Sequence, residues 1–403
     1  MRKIKIILTL FCCSIAGMAS SQIAVKADTI FTMAGEPVMN GIILIKDGKI
    51  DQVGTTENVT IPSGYKVYNA KVVTPGLIDA RTVVGLSGAL NIPVDQDQLE
   101  KSNPIQPDLR AIDAYNPDEK LVKYLRSNGV TTIHTGHGIG ALVSGQTMIA
   151  KTHQGFINDV TIEPLAMIAM TIGSPVSGNF TSPGTRSKQM AMLRTELIKA
   201  QAYRKKMEEK DSTKRPAVDL KMDMLSQMLK GETKALISAN TANDIMSAIR
   251  LSKEFGFRLV IEGAAEAYRI INEIKASGAE VIVHATMARN GGDMVNMTRE
   301  NAAILTRAGI PVSIESGYEA YVPKTRLILF EAALATAYGL TYEDALKTIT
   351  MNPARLLGLE KRIGSIEKGK DADLVLYNGD PFEYLTKVCV VIINGKVEEE
   401  NCK

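Results

Sequence analysis

The chain has 403 residues, of which 45% are hydrophobic and 23% charged, with 47 Lys and Arg against 44 Asp and Glu, four His and no Trp. These proportions sit near the globular average and exclude disorder, collagen and coiled coil as overall classes. The length admits two or three domain-sized units, or one barrel of about 250 residues with a smaller unit beside it.

The N-terminus reads MRKIKIILTLFCCSIAGMASSQ: Arg2, Lys3 and Lys5, an apolar run from Ile6, then small residues around Ala19, Ser20 and Ser21. This is the order of a secretory signal peptide over residues 1–21, with an apolar run too short for a good membrane span. Its cleavage takes the net charge from +3 to about zero. The mature chain is therefore expected to be periplasmic or secreted, with no membrane contact and no basic footprint for nucleic acid. It keeps two cysteines, Cys389 and Cys402.

Residues 22–73 read as short strands: IAVKADTIFT, then GIILIKDGKIDQVG with a hairpin turn at Asp47-Gly48, then KVYNAKVVTPG. From 74 to 358 the pattern changes to apolar strands alternating with amphipathic helices, which argues for βα units around a parallel sheet. A helix over Asp118–Ser127 precedes GVTTIHTGHG, KALISAN precedes a helix over Asn243–Phe255, and RLVIEG, EVIVHAT and GIPVSIESG follow in the same rhythm. A charged helical pair at about 187–230, broken at Asp211–Pro216, reads as an insertion. Thr341 starts a helix with Glu343 and Asp344 in its first turn, Asn352-Pro353 reads as a cap and first helical position, and Gly358 stops that helix.

Residues 359–403 return to strand character in DADLVLYNGD and VCVVIINGKVEE. The Asn394-Gly395 turn sets Cys389 opposite about Glu400, two positions from Cys402, so these cysteines are either disulfide-bonded or two free thiols beside the terminus.

Two stretches carry a family resemblance. VVTPGLIDARTVVG at Val72–Gly85 and MNPARLLGLEKRIGSIEKGKDADLVLYNGDPFE at Met351–Glu383 resemble the metal-dependent amidohydrolase superfamily, most of all its imidazolonepropionase-like and prolidase-like branch. PDLRAIDAYNP, GVTTIHTGHGIGALVSGQTMIAK and DIMSAIRLSKEFG fit that branch in order. The resemblance implies an α/β fold: a distorted (β/α)8 TIM barrel over 74–358, and a small discontinuous β-sandwich built from 22–73 and 359–403. It implies hydrolysis of C–N bonds other than peptide bonds, with zinc as the cofactor.

The expected metal ligands do not follow. Where the family carries PGLIDxHxH, this chain has Asp79-Ala80-Arg81-Thr82-Val83, so Arg81 and Val83 stand at two imidazole positions. Ser238, Asn240 and Gly263 stand near two further histidine positions, and Gly317 aligns with a closing Asp, with Glu315 beside it. Zinc needs at least three nitrogen, thiolate or carboxylate ligands, and a guanidinium repels the cation. No metal cofactor is therefore expected. Arg81 is expected instead to pair with Glu262, Glu315 or both at the barrel rim, because a buried unpaired charge is costly; the alternative is a set of rim residues facing water. Asp79 is expected to be a strand-end cap.

His134 and His137 offer an acid–base or ligand pair on a loop or, more blandly, a solvated one. Lys151 is the candidate for a carboxylated bridging lysine, and His284, at the end of VIVHAT, is the best placed single imidazole. Asp95, Asp97 and Glu100 form an acidic loop. Two functions follow: a non-catalytic subunit or binding protein, partnered by an intact paralogue or a second copy and holding a small molecule in the barrel mouth; or a hydrolase of cyclic amides or N-acyl and dipeptide substrates that uses His284 with Glu262 or Glu315.

Overall fold

The computed structural model describes residues 22–90, 92–318 and 325–402. The signal peptide read over 1–21 lies outside them. Among the described residues no helix is long and apolar enough to cross a membrane.

The N-terminal strands are β1 (Ile23–Ile30), β2 (Val38–Lys46), β3 (Lys49–Thr55) and β4 (Lys66–Pro75). The barrel strands follow: β5 (Leu77–Thr82), β6 (Val130–Gly136), β7 (Val143–Lys151), the short flanking β8 (Thr161–Glu163), β9 (Met167–Thr171), β10 (Lys234–Ala239), β11 (Leu259–Gly263), β12 (Glu280–Val283) and β13 (Val312–Ile314). The chain ends with β14 (Leu374–Tyr377), β15 (Val388–Ile393) and β16 (Lys396–Glu400).

Both chain ends share one seven-stranded sheet, in the order β16-β15-β14-β4-β1-β2-β3. Its centre is the antiparallel pair β4–β14, where Val73 faces Leu376 and Thr74 faces Val375. The sheet curls until its two hairpin turns meet. Gly48 O accepts from Ala372 N–H at 2.9 Å, and Gly395 N–H donates to Ala372 O at 3.0 Å. A Cβ on Gly395 would lie 2.7 Å from Gly48 Cα, so glycine is required there by the close approach as well as by its φ of 72°.

The second sheet runs β5-β6-β7-β9-β10-β11-β12-β13 and nearly closes through a Thr82–Gly317 bridge. Ala80, Met167, Leu236, Val260, Ile282 and Leu356 fill its interior. One strand departs from the expected parallel pattern: β7 is antiparallel to both β6 and β9. Only residues 137–142 join β6 to β7, whereas a parallel crossover needs about a dozen residues or more.

The helical pair spans Arg186–Met207 and Leu220–Leu229, with Thr185 and Asp219 as N-caps. The helices read over Asp118–Ser127 and Asn243–Phe255 are observed at Lys120–Ser127 and Ala242–Phe255. Thr341 caps its helix by accepting from Asp344 N–H. Asn352 is not a cap. It lies inside Met351–Leu356, and its amide donates to Val312 O at 2.8 Å, tying that helix to β13.

Lys151 is placed by this fold at the bottom of the barrel. Because β7 runs backwards, its last residue pairs with Thr132 at the start of β6, opposite the C-terminal rim. There Lys151, 2% exposed, pairs with Asp373 and, at 3.3 Å, with Asp371. Asp371 also meets Lys49 at 2.5 Å and Arg362 at 2.9 Å. Burial opposes ionisation of Asp371, but Lys151, Lys49 and Arg362 outweigh it and hold the carboxyl below its ordinary range. Lys151, a candidate for the pocket from the sequence, therefore lies away from the rim and fastens the barrel to the composite sheet.

Cys389 and Cys402 form a disulfide, with Cα atoms 4.7 Å apart. A bulge between Val391 and Ile392 moves the expected pairing by one, so that Val390 faces Glu400.

Lys151→Met leaves two acidic groups in a buried site without their shared cation. The expected loss is about 3 kcal/mol or more of unfolding free energy. Urea denaturation checks this, and a change within experimental error removes Lys151 from the role of fastener.

Candidate functional site

Side chains alternate along a strand, which fixes what faces the barrel lumen. Leu236, Val260 and Ile282 point inward as part of the apolar layer. Ser238, Glu262 and His284 lie two residues further on and are all buried at the C-terminal rim. Glu315 follows β13 on the same rim, and β5 ends there with Asp79 and Arg81.

Arg81 is 2% exposed, and each nitrogen of its guanidinium donates a hydrogen bond. Nε donates to Glu262 Oε1 at 3.2 Å, Nη1 donates to Thr82 O at 2.7 Å, and Nη2 donates to His137 O. Of the two acids expected to pair with it, Glu262 makes the direct contact. Glu315 lies near enough to feel Arg81, Glu262 and Asp79 electrostatically. Asp79 Oδ1 accepts from Arg81 N–H at 3.2 Å and from Ser316 N–H at 3.1 Å, so it joins β5 to the segment after β13 as well as capping its own strand.

Three carboxyl groups therefore surround one guanidinium, and the imbalance shifts their titration. Burial pushes Asp79 up to about 7 against the hydrogen bonds from Ser316 and Arg81 and the charge of Arg81. Burial also raises Glu262, with Arg81 offsetting part of the effect. Glu315 is driven well above the ordinary carboxylate range, first by burial and then by the charge of Glu262. Asp79 Oδ2 and Glu315 Oε2 are buried without a hydrogen-bond partner.

The histidines separate. His284 Nδ1–H donates to Ala285 O at 2.8 Å, which leaves Nε2 as a buried acceptor without a partner. Burial holds this imidazole below its ordinary pKa. His134 and His137 are not a loop pair. His134 is inside β6, with Nδ1 on Ala80 O at 2.8 Å and Nε2 on Thr147 Oγ1 at 2.7 Å. Burial, then the charge of Arg81, lowers it to about 3, so it is a neutral strut between strands. His137 packs on Gly145, where a Cβ would come within 2.4 Å of its ring. Burial and then Arg81 lower it to about 4, and its contribution to the site is its carbonyl.

The acidic loop turns inward on its own backbone: Asp95 accepts from Leu90 N–H at 2.6 Å and Glu100 from Ser102 N–H at 2.6 Å. His153 bonds the Gln154 carbonyl and is apart from the rim. Among the described residues, no three His, Cys, Asp or Glu side chains converge as a metal-ligand set.

Sequence reasoning named the acidic loop in the segment after β5 but passed over how that segment packs. Val83, Val84 and Leu86 are buried, and Gln98 O accepts from Gly138 N–H at 2.6 Å, so this segment packs on the rim. Gln98 also donates to the Tyr318 hydroxyl at 3.2 Å. A cleft of 540 Å³ above them is lined by Pro93, Gln96, Gln98, Leu99, Ile139 and Tyr318. The available signal was length: irregular connections this long inside a compact domain are usually functional.

A nearly closed barrel with its polar cluster at the C-terminal ends of the strands defines the class of β/α barrel proteins whose reactive groups sit on that rim. Residues 72–397 match the model of the amidohydrolase family, and the chain belongs to that family. A crystal structure of an amidohydrolase from Thermotoga maritima MSB8 is 30% identical, with a TM-score of 0.88 over 94% of this chain and 100% of that one. The amidohydrolase tasK of Hapsidospora irregularis is 25% identical over 89% of this chain, which spans 40% of the length of tasK. An imidazolonepropionase of Legionella pneumophila is 22% identical, covering 89% of this chain and 93% of its own.

Arg81→Met strips Glu262 of its cation and two carbonyls of their donors. A loss of about 3–5 kcal/mol is expected, partly restored by adding Glu262→Gln. A single variant as stable as the parent sinks the pairing. For Asp79, the folded-state pKa lies above the unfolded one. Its contribution is fully present below pH 3.8 and is lost as pH rises to about 7. The difference in stability between parent and Asp79→Asn should therefore change by up to about 4 kcal/mol across that window. Denaturation curves at several pH values that run parallel for the two proteins contradict it.

Proposed function

We propose that this protein is an exported member of the amidohydrolase family in which an ion pair has taken the seat of the metal, and that it acts as a non-catalytic subunit or small-molecule binding protein. The observation that carries the reading is the guanidinium of Arg81, fixed by Glu262 and two carbonyls inside the barrel mouth. A zinc ion does not fit there. Unit positive charges about 4 Å apart repel by about 4 kcal/mol per charge pair at an effective dielectric of 20, and a divalent ion doubles this. Val83, at the other imidazole position of the resemblance, offers no donor atom. The disulfide Cys389–Cys402 and the leader-like N-terminus support an oxidising, extracytoplasmic location. The partner in this reading is an intact relative or a second copy.

One observation favours a second reading. Glu315 Oε2 and His284 Nε2 lie buried on the rim without partners, as an acid and a base awaiting a substrate would. The protein would then hydrolyse cyclic amides or N-acyl dipeptides without zinc.

Zinc is added to the purified mature protein, excess is removed by dialysis, and the metal is measured. The expected content is far below one ion per chain, with no turnover of a cyclic-amide and N-acyl dipeptide panel. Stoichiometric zinc ends the first reading. Turnover that is abolished in Glu315→Gln replaces it with the second.

A further inference from the structure

We propose that residues 396–402 form a redox-sensitive strap in which the Cys389–Cys402 disulfide and the Arg126–Glu399 ion pair hold each other closed. Reduction by a small dithiol loosens the strap, and loss of the ion pair makes the disulfide easier to reduce. The inference goes beyond the reading above and is independent of what the barrel mouth binds.

Burial does little to hold these residues. Among the described residues, β16 ends the seven-stranded sheet and pairs with β15 alone. None of its five residues is buried, and three are adjacent glutamates, a residue type depleted in strands. β15 differs. Val390, Val391, Ile392 and Ile393 are buried, and its other side pairs with β14, so it keeps its place when β16 loosens.

The strap is fastened at its far end. Glu399 Oε1 accepts from Arg126 Nε at 2.7 Å, and Glu398 Oε2 accepts from Gln154 N–H at 3.4 Å. Asn401 N–H donates to Cys389 O at 2.7 Å, and its side-chain amide donates to Ser127 O at 3.3 Å. Cys402 closes the run through its bond to Cys389. Arg126 is buried in the helix Lys120–Ser127, and its Nη1 donates to Thr152 O at 2.7 Å. The cation is thereby fixed to the barrel, and Glu399 is the partner that moves.

The two fastenings are coupled through the closed conformation. The sulfurs meet while the strap lies on the sheet, so the effective concentration of the two thiols follows the closed population. Removing the counter-ion of a buried cation lowers that population. In the other direction, the disulfide links residues 13 positions apart and removes open conformations in which Glu399 leaves Arg126. Such coupling is reciprocal.

Both cysteines are half-buried, within reach of a small dithiol. One thiolate of the dithiol attacks a cystine sulfur, and the other cysteine leaves as a thiolate. The second thiol of the reagent then displaces the remaining cysteine. Two electrons and two protons pass to the protein, which ends with two thiols, while the dithiol ends as a cyclic disulfide.

The test equilibrates the folded, oxidised protein with graded ratios of reduced to oxidised dithiothreitol, counts free thiols and follows amide hydrogen exchange. In the parent, reduction should speed exchange over residues 396–402 by about tenfold or more, while β9 to β12 keep their rates. Glu399→Gln should be half-reduced at a dithiol ratio about tenfold lower than the parent. Glu400→Gln, at an exposed position in the same strand, should titrate with the parent. A bond that resists the dithiol in the folded protein overturns the proposal, as does strap exchange that reduction leaves unchanged. Equal acceleration in the barrel strands, or a Glu399→Gln titration that matches the parent or Glu400→Gln, does the same. Should Glu399→Gln fail to fold, the exchange rates of the parent before and after reduction decide.

Discussion

The salt bridge between Arg81 and Glu262 organises the mouth of this barrel. A guanidinium this deeply buried is tolerated because all three of its nitrogens donate, one to a carboxylate and two to carbonyls. Those carbonyls come from β5 itself and from the turn after β6, while Glu262 comes from β11 across the lumen. The side chain thus joins the neighbouring strands β5 and β6 to β11 across the lumen. Asp79 adds a further tie, from β5 to the backbone after β13, where among the described residues a single bridge completes the ring.

The same cluster is not electrically balanced. One cation cannot neutralise Asp79, Glu262 and Glu315, and burial denies them water. The carboxyls respond by holding protons more tightly, and two of their oxygens are left with nothing to accept. Protein interiors rarely leave buried acceptors empty without a functional reason. At the other end of the barrel the arithmetic is reversed: Lys49, Lys151 and Arg362 meet Asp371 and Asp373, and that junction is close to neutral. One end reads as a fastening, while the other gathers more carboxyl groups than its single cation can neutralise.

Much of this was legible in the residues. Turns, alternating runs and helix caps gave the β-rich ends, the βα middle and the helical pair; the family resemblance added the barrel and the union of the two ends, and the motif around Asp79–Val83 pointed to Arg81 and its acidic partners. What escaped was set by tertiary geometry. The reversal of β7 follows from a short connection whose consequence appears only once β6 and β9 are seen flanking it, and that reversal sends Lys151 to the bottom of the barrel. His134 and His137 are near in sequence, yet one lies within a strand and the other beyond its end, and their rings face different neighbours. The roles of Gln98 and Tyr318 depend on a packing of irregular segments that no periodicity announces.

The central pair of the composite sheet joins residues about 300 positions apart; Thr74 reaches Tyr377 across it. Until the ribosome has released the last strands, β4 has one unsatisfied edge and the first four strands cannot finish their sheet. The barrel between them must therefore form, or wait, while its neighbour is incomplete, and the slow step of folding is expected to be this late closure by long-range pairing. A nascent chain arranged in this way stays open until β14 has left the ribosome.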